Sequence, residues 1–484
     1  MTRALMFQGT GSDVGKTVLV AGFCRLAYRM GLKVLPFKPQ NMSNNAAVAD
    51  DGGEIGRGQW LQAFAARAKP SVHMNPVLLK PQSETGSQII LQGKLFGKAK
   101  GADYQKMKGT LLDRVMDSYK ILASKCDLIL VEGAGSPAEI NLRQGDIANM
   151  GFARRANIPV VLIGDIDRGG VIASLVGTSQ IIDKEDRALV CGYLINKFRG
   201  DICLFEDGLT AIGGFTGWPC LGVIPWLKSA KLLPAEDSMV LGKAMTKKTA
   251  KLKIAVPLLP HIANFDDLDP LKHESNVEIV FVNEGEAFPA DCTVVFLPGS
   301  KSTIADIQAL RERGWAQAII KHARNGGVVI GVCGGFQILG NKIFDPGAQE
   351  GNITEIDGLG LLDMVTEIAP EKVTRNVRAL HVKSGAPLQG YEIHMGKTFG
   401  PDCGRAPLKI ADMNDGAMSP DGKVWGTYLH GLFASDIFRR YFIESFGGKP
   451  DYLGHFEKVD QALEEIADEL EKAVHVEALF QLAR

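Results

Sequence analysis

Short apolar runs recur along the chain, separated by longer stretches of mixed character. In the first half they fall at Ala4–Phe7, Lys33–Phe37, Leu128–Val131, Pro159–Ile163, Leu189–Ile195 and Leu221–Ile224. Runs of this length bounded by Gly, Pro, Asn or Asp predict strands, and the connections between them have room for helices. That alternation predicts an α/β domain with a doubly wound, mostly parallel sheet. A second series, Leu252–Pro257, Val277–Val282, Thr293–Leu297 and Val328–Val332, predicts a second α/β domain. Between the two, Lys243, Lys247, Lys248, Lys251 and Lys253 crowd together with few large apolar residues, which reads as an exposed linker. Near the end, Val459, Leu463, Ile466, Leu470 and Val474 recur at helical spacing and predict an amphipathic helix. The expected division is 1–233, a linker at 234–250, a second domain at 251–440, and a helical extension at 441–484 packed on that second domain.

Composition narrows the function classes. The 484 residues carry 54 Lys and Arg against 55 Asp and Glu, a formal charge of −1, which argues against a nucleic-acid partner. No stretch reaches the roughly 20 apolar residues of a membrane span, so no membrane partner is expected. The 8 cysteines show no CxxC spacing, which points to neither zinc nor a disulfide framework, and a reducing cytoplasm is the expected compartment.

The first strand runs into Gly9-Thr-Gly11-Ser-Asp-Val-Gly15-Lys16-Thr17 and then a helix. Small residues let backbone N–H groups close on phosphate oxygens, a lysine reaches the β/γ-phosphates and a hydroxyl serves Mg²⁺. The helix N-terminus adds its dipole. Gly11, Gly15, Lys16 and Thr17 are therefore the candidate ATP contacts, although Thr10 replaces the glycine of the strict pattern. Glu132 closes the strand Leu128–Val131 and is placed to hold Mg²⁺, with Asp51 and Glu54 as further candidates. Asn196, at the end of another strand, is a candidate for reading the nucleotide base. Asp165, Asp167 and Arg168 follow a buried strand at the sheet edge where such folds bind ligands, and are assigned to substrate or phosphate. Lys94, Lys98 and Lys100 read as a solvated charge run.

The second half carries Val328-Val-Ile-Gly-Val332-Cys333-Gly334-Gly335-Phe-Gln337, a G-x-C-x-G analogue of a nucleophile elbow. A helix N-terminus after the cysteine favours the thiolate. His430, in Tyr428-Leu-His-Gly431, is the candidate proton partner. The backbone of Gly299 and Gly334 could hold an oxyanion, and Gln337 is counted with the substrate-binding group.

Taken together, these motifs resemble those of the cobyric acid synthases, glutamine-dependent amidases of corrin biosynthesis. The resemblance rests on Gln8–Thr17, Phe37–Asn44, Asp51–Arg57, Met74–Pro81, Asp165–Gly170, Gly331–Gly335, Gly390–Gly396 and Tyr428–Gly431, and it spans nearly the whole chain. It implies a P-loop domain similar to dethiobiotin synthetase followed by a class I glutamine amidotransferase α/β domain. The implied reaction uses ATP, Mg²⁺ and glutamine to amidate four carboxylates of adenosylcobyrinic acid a,c-diamide. Cys333 would be the glutaminase nucleophile and His430 its base, with Lys16 and Lys38 dispersing phosphate charge and Glu392 and His394 lining either the domain interface or the glutamine site. Many class I amidotransferases carry a glutamate two residues after the histidine. Leu432 stands there, so the residue orienting His430 is unassigned. The neighbouring alternative is a cobyrinic acid a,c-diamide synthase. A nucleotide-switched binding protein is the alternative of a different class.

Overall fold

The computed structural model describes residues 2–81, 86–234 and 250–484. It divides into two compact units: Met1–Ser43 with Ala49–Glu236 and Val459–Arg484, and Asn44–Val48 with Asp237–Lys458. Apart from its end residues, the expected linker at 234–250 lies outside the described residues. Among the described residues no helix is long and apolar enough to cross a membrane.

The first unit is built on β1 (Arg3–Gly9), β2 (Val34–Phe37), β3 (Leu128–Glu132), β4 (Val160–Asp165), β5 (Val190–Phe198) and β6 (Cys220–Pro225). They lie in the order β6-β5-β4-β1-β3-β2, and each neighbouring pair is parallel. Successive side chains of a strand point to opposite faces, so a sheet covered on both sides needs apolar residues throughout. Leu5, Phe7, Leu128, Leu130, Val161 and Ile163 accordingly enter one core, and Ala4, Met6, Ile129, Val131, Val160 and Leu162 enter the other. The chain leaves β1 on one side for β2 and β3 and comes back on the other for β4 to β6. Ligands of such sheets bind beside the reversal, at the carboxyl ends of the strands.

The end of the chain corrects the expected domain plan. Val459, Leu463, Ile466, Leu470 and Val474 are spaced as a helix stripe, but they are buried in the first unit, against the helix Lys16–Arg29 and its core. Polar contacts fix the choice. Fully buried Arg25 pairs with Asp460 at 2.8 Å and Glu464 at 2.5 Å, and the Ala4 N–H donates to the Arg484 carbonyl at 2.6 Å. Apolar spacing alone showed that this helix must be buried, not on which core.

The second unit holds β7 (Leu252–Pro257), β8 (Val277–Val282), β9 (Val294–Leu297), β10 (Val328–Val332), β11 (Ala417–Met418) and β12 (Val424–Thr427) in the order β8-β7-β9-β10-β12-β11. All pairs are parallel except β11 with β12. Beside this sheet runs a long antiparallel hairpin, Val365–His381 with Pro387–Phe399. It contains no continuous apolar run, because exposed positions are interspersed among the buried ones along both strands.

Candidate active site

The phosphate loop leaves β1 and enters the helix Lys16–Arg29, with Gly15 at φ 95°. Only glycine adopts that conformation freely, and the Asn196 amide leaves no room for a Cβ there. Lys16 Nζ donates to the carbonyls of Gly11 at 2.9 Å and Gly135 at 3.3 Å, which lays its stem across the loop. Glu132, 1% exposed at the end of β3, is the hub of the site. Its carboxylate accepts from Thr17 Oγ1 at 2.7 Å, Lys38 Nζ at 2.8 Å and Gln62 Nε2 at 2.5 Å. The sequence-predicted Lys16, Thr17, Lys38 and Glu132 are thus gathered around one loop.

The other candidates of this half are placed differently. Asp51 is exposed and its carboxylate accepts from the Ser71 hydroxyl at 2.6 Å and the Val72 N–H at 3.0 Å, so it serves the turn Val72–Met74 rather than Glu132. Glu54 is buried against Lys80 at 2.9 Å. Asn196 donates to the Val14 carbonyl at 2.8 Å and braces the loop from below. Asp165 pairs with Lys197 at 2.7 Å, Asp167 with Arg199 at 2.8 Å, and Arg168 with Asp13 at 3.3 Å. Lys197 also donates to the Asp13 carbonyl at 2.6 Å. Asp165, Asp167 and Arg168 therefore form an ion-pair rim tied to the phosphate loop.

In the second unit, Cys333 sits between β10 and the short helix Gly334–Ile338 at φ 54°, ψ −112°. A non-glycine residue held there stores backbone strain, and strain of this kind marks nucleophile elbows. Close packing enforces the turn. A Cβ on Gly331 would lie 2.5 Å from the Gly335 carbonyl, and one on Gly334 2.7 Å from the Ser300 nitrogen. The Cys333 thiol donates to the Ile393 carbonyl at 3.4 Å.

His430 follows β12 and is wholly buried. Its Nδ1 lies 2.7 Å from Asp267 Oδ2, and the other carboxylate oxygen accepts from the Gly431 N–H at 2.6 Å. Tyr391 stacks on the imidazole with centroids 5.1 Å apart, and its backbone exchanges hydrogen bonds with that of His430. Asn264 Nδ2 approaches Nε2 at 3.3 Å, while its amide oxygen accepts from the Ala46 N–H at 3.1 Å. Burial opposes a charge on His430, but Asp267 and the Cys333 sulfur outweigh it and raise the imidazole to about 10. With Nδ1 committed to Asp267, Nε2 is the ring nitrogen left to interact with the Cys333 sulfur.

Asp267 is the functional residue that sequence reasoning missed. It lies in Asn264-Phe-Asp-Asp-Leu-Asp269, far from His430 along the chain and among other acidic residues with nothing to set it apart. Leu432, at the usual position of the orienting glutamate, is buried in the core. Gln337, counted from the sequence with the substrate-binding group, is buried behind the elbow. Its amide accepts from Thr303 at 3.0 Å and donates to the Met395 carbonyl and Tyr428 hydroxyl at 3.2 Å each, so it braces the elbow from inside. Gly299 does lie at the site, where a Cβ would come 3.0 Å from His430 Cε1. In the hairpin, Glu392 pairs with Arg375 at 2.5 Å, and His394 stacks on Tyr428 with burial lowering it to about 4.

Both halves match known families. Residues 5–240 match the CobQ/CobB/MinD/ParA nucleotide binding domain, and residues 253–438 match the CobB/CobQ-like glutamine amidotransferase domain. A nucleotide-binding domain joined to a glutamine amidotransferase domain makes this an enzyme of the glutamine-dependent amidoligase class. The cobyric acid synthase of Rhizobium johnstonii is 62% identical over 472 residues, 98% of this chain and 97% of that protein. That of Brucella suis is 60% identical over 483 residues, 100% of each, and that of Sinorhizobium fredii 63% over 471 residues, 97% of each. The chain belongs to the cobyric acid synthase family.

Proposed function

We propose that the substrate is adenosylcobyrinic acid a,c-diamide and that its four carboxylates b, d, e and g are amidated, each at the expense of one ATP and one glutamine. The observation that supports the chemistry most strongly is Cys333 on a strained elbow with His430 oriented by Asp267. The Cys333 sulfur attacks the side-chain amide carbon of glutamine, and the C–N bond breaks as His430 gives the leaving ammonia a proton. Backbone N–H groups of Gly299 and Gly334 hold the oxyanion. His430 then takes a proton from water, whose oxygen attacks the thioester, and glutamate leaves. In the nucleotide-binding half, a substrate carboxylate oxygen attacks the terminal phosphorus of ATP and ADP departs. Ammonia displaces phosphate from the acyl carbon. Lys16 and Lys38 bear on the transferred phosphate.

Magnesium fits the donors present. Thr17 and Glu132 offer hard oxygens at the phosphate loop, and Mg²⁺ needs few protein ligands because it keeps water and phosphate oxygens. In keeping with this, no group of three or more His, Cys, Asp or Glu among the described residues could hold a metal unaided. Thr17 and Glu132 would hold the ion, which when bound supplies charge neutralisation at the phosphates. The eight cysteines are free thiols, which suits a reducing compartment, and we place the reaction in the cytoplasm.

The test is Cys333→Ala. It should lose glutamine-dependent amidation and keep amidation driven by added ammonia; loss of both in a folded protein would sink the two-site reading.

A further inference from the structure

Beside the phosphate loop lies a cavity of about 130 Å³ whose lining includes Gln40, Lys108, Gly135, Ser136 and Asp146. The Gly135 carbonyl accepts from Lys16 Nζ at 3.3 Å, so one wall of the cavity is the loop that positions the phosphate-binding lysine. Lys108 projects into it from the helix Gly101–Ala123 and is only 7% exposed. Its stem packs 3.6 Å from where a Cβ of Gly145 would stand, and its ammonium lies 5.9 Å from the Tyr104 ring centre. Among the described residues no carboxylate stands at ion-pair distance from it. The acid nearest in effect, Asp146, spends its oxygens on the N–H groups of Ala148 at 2.8 Å, Asn149 at 3.0 Å and Gly151 at 2.9 Å. Burial accordingly holds the Lys108 ammonium below the usual lysine range, with Asp146 offsetting only part of this.

Of the other polar groups that line the cavity, which include the carboxylates of Glu139 and Asp146, two are placed to donate beside Lys108. Gln40 has its amide oxygen taken by the Tyr104 hydroxyl at 2.5 Å, which leaves its N–H₂ group to donate. Ser136 Oγ accepts from the Ala138 N–H at 3.2 Å, which leaves its O–H to donate. A second cation of the lining, Arg143, is already committed to Asp186 at 2.6 and 2.9 Å. A buried ammonium with two neutral donors and no committed anion is costly unless an anion completes it. The volume is well below the roughly 300 Å³ of a pocket for a whole organic ligand. It suits one short arm, with the body of the ligand outside.

We propose that this cavity receives a carboxylate-bearing side arm of the corrin substrate, with Lys108 pairing to the carboxylate and Gln40 and Ser136 donating to it, beside the loop where phosphate is transferred. The inference rests on the amidation reading above and adds the residues that seat the reacting carboxylate. A carboxylate is favoured over a phosphate of the nucleotide because Lys16 and the loop N–H groups already serve the nucleotide.

Steady-state kinetics of the full chain test this, with adenosylcobyrinic acid a,c-diamide and then ATP as the varied substrate. Lys108→Met should raise KM for the corrin about tenfold or more, a loss of about 1.4 kcal/mol of binding, with KM for ATP within about twofold, and Lys108→Arg should recover most of it. A rise in KM for ATP alone would make this a nucleotide-phosphate site and overturn the proposal, as would no change in either. Should Lys108→Met fail to fold, an amine-reactive label on the wild type decides. The corrin diamide should protect Lys108 and ATP should not; equal labelling overturns the proposal. A wild type that makes no amidated corrin overturns the functional reading instead, and the labelling then judges Lys108 by itself.

Discussion

Asp267 Oδ2 lies 2.7 Å from His430 Nδ1, and the same carboxylate accepts from the Gly431 N–H at 2.6 Å. One acidic side chain thus fixes both the ring and the backbone of the proton-transferring residue. It contacts the histidine from the opposite end of the domain sequence, where many class I amidotransferases use a glutamate two residues after the histidine.

Asp267→Asn should keep the shape and remove the charge. Glutaminase kcat should fall by roughly 10²–10⁴, as when the orienting carboxylate of a catalytic triad is neutralised, while ammonia-dependent amidation persists. The pH profile supplies a second readout. Asp267 helps raise His430, so the imidazolium that protonates the leaving ammonia survives to high pH in the wild type. In the variant the alkaline limb should move to lower pH. An unmoved limb with unchanged kcat would remove Asp267 from the mechanism.

The same pair carries a stability signature. A folded pKa of about 10 exceeds the ordinary imidazole value of about 6.5. Its stabilisation is fully present below about pH 6.5 and is lost as pH rises through about 10. Thermal melts of wild type and Asp267→Asn should differ most at the acid end of that window and converge toward its alkaline end. A gap that widens with pH would contradict the sign.

Glu132→Gln should act on the nucleotide-binding half. It leaves buried Lys38 facing a neutral amide, and breaking a buried pair costs about 3–5 kcal/mol in a chain whose Lys38 side chain is 6% exposed. Amidation should fall with glutamine and with ammonia alike, because both need the activated carboxylate. Lys16→Ala should behave the same way, and normal synthesis in either variant would refute the phosphate-loop assignment.

Ile466→Ala tests the placement of the last helix. Ile466 is 1% exposed within the first unit's core, and such truncations cost about 2–5 kcal/mol. Nucleotide-dependent synthesis should become heat-labile before glutaminase does. The reverse order would restore the extension to the amidotransferase domain.

The contrast between legible and illegible features follows from range. The ten strands expected from apolar runs recur at their places because a parallel sheet buried on both faces must write itself as continuous apolar sequence. Lys16, Thr17 and Cys333 were legible because each lies in a local motif whose backbone geometry demands those neighbours. Asp267 was not, since its pairing with His430 depends on how β7 and β12 are placed in one sheet. Val365–His381 escaped notice because a half-exposed strand mixes charged and polar residues with its apolar ones and so shows no apolar run. Asn196, Gln337 and Asp51 share one feature, a side chain hydrogen-bonded to the backbone around it. A polar residue in the right stretch can be consumed by the backbone it supports, and only hydrogen-bond partners reveal it.

The most direct measurement is the mass of the corrin after the full-length enzyme has acted on adenosylcobyrinic acid a,c-diamide with ATP, Mg²⁺ and glutamine. Four successive exchanges of carboxylic acid for amide, each needing both ATP and glutamine, are the predicted result. An unchanged diamide, or amidation only of cobyrinic acid at two positions, would contradict the account.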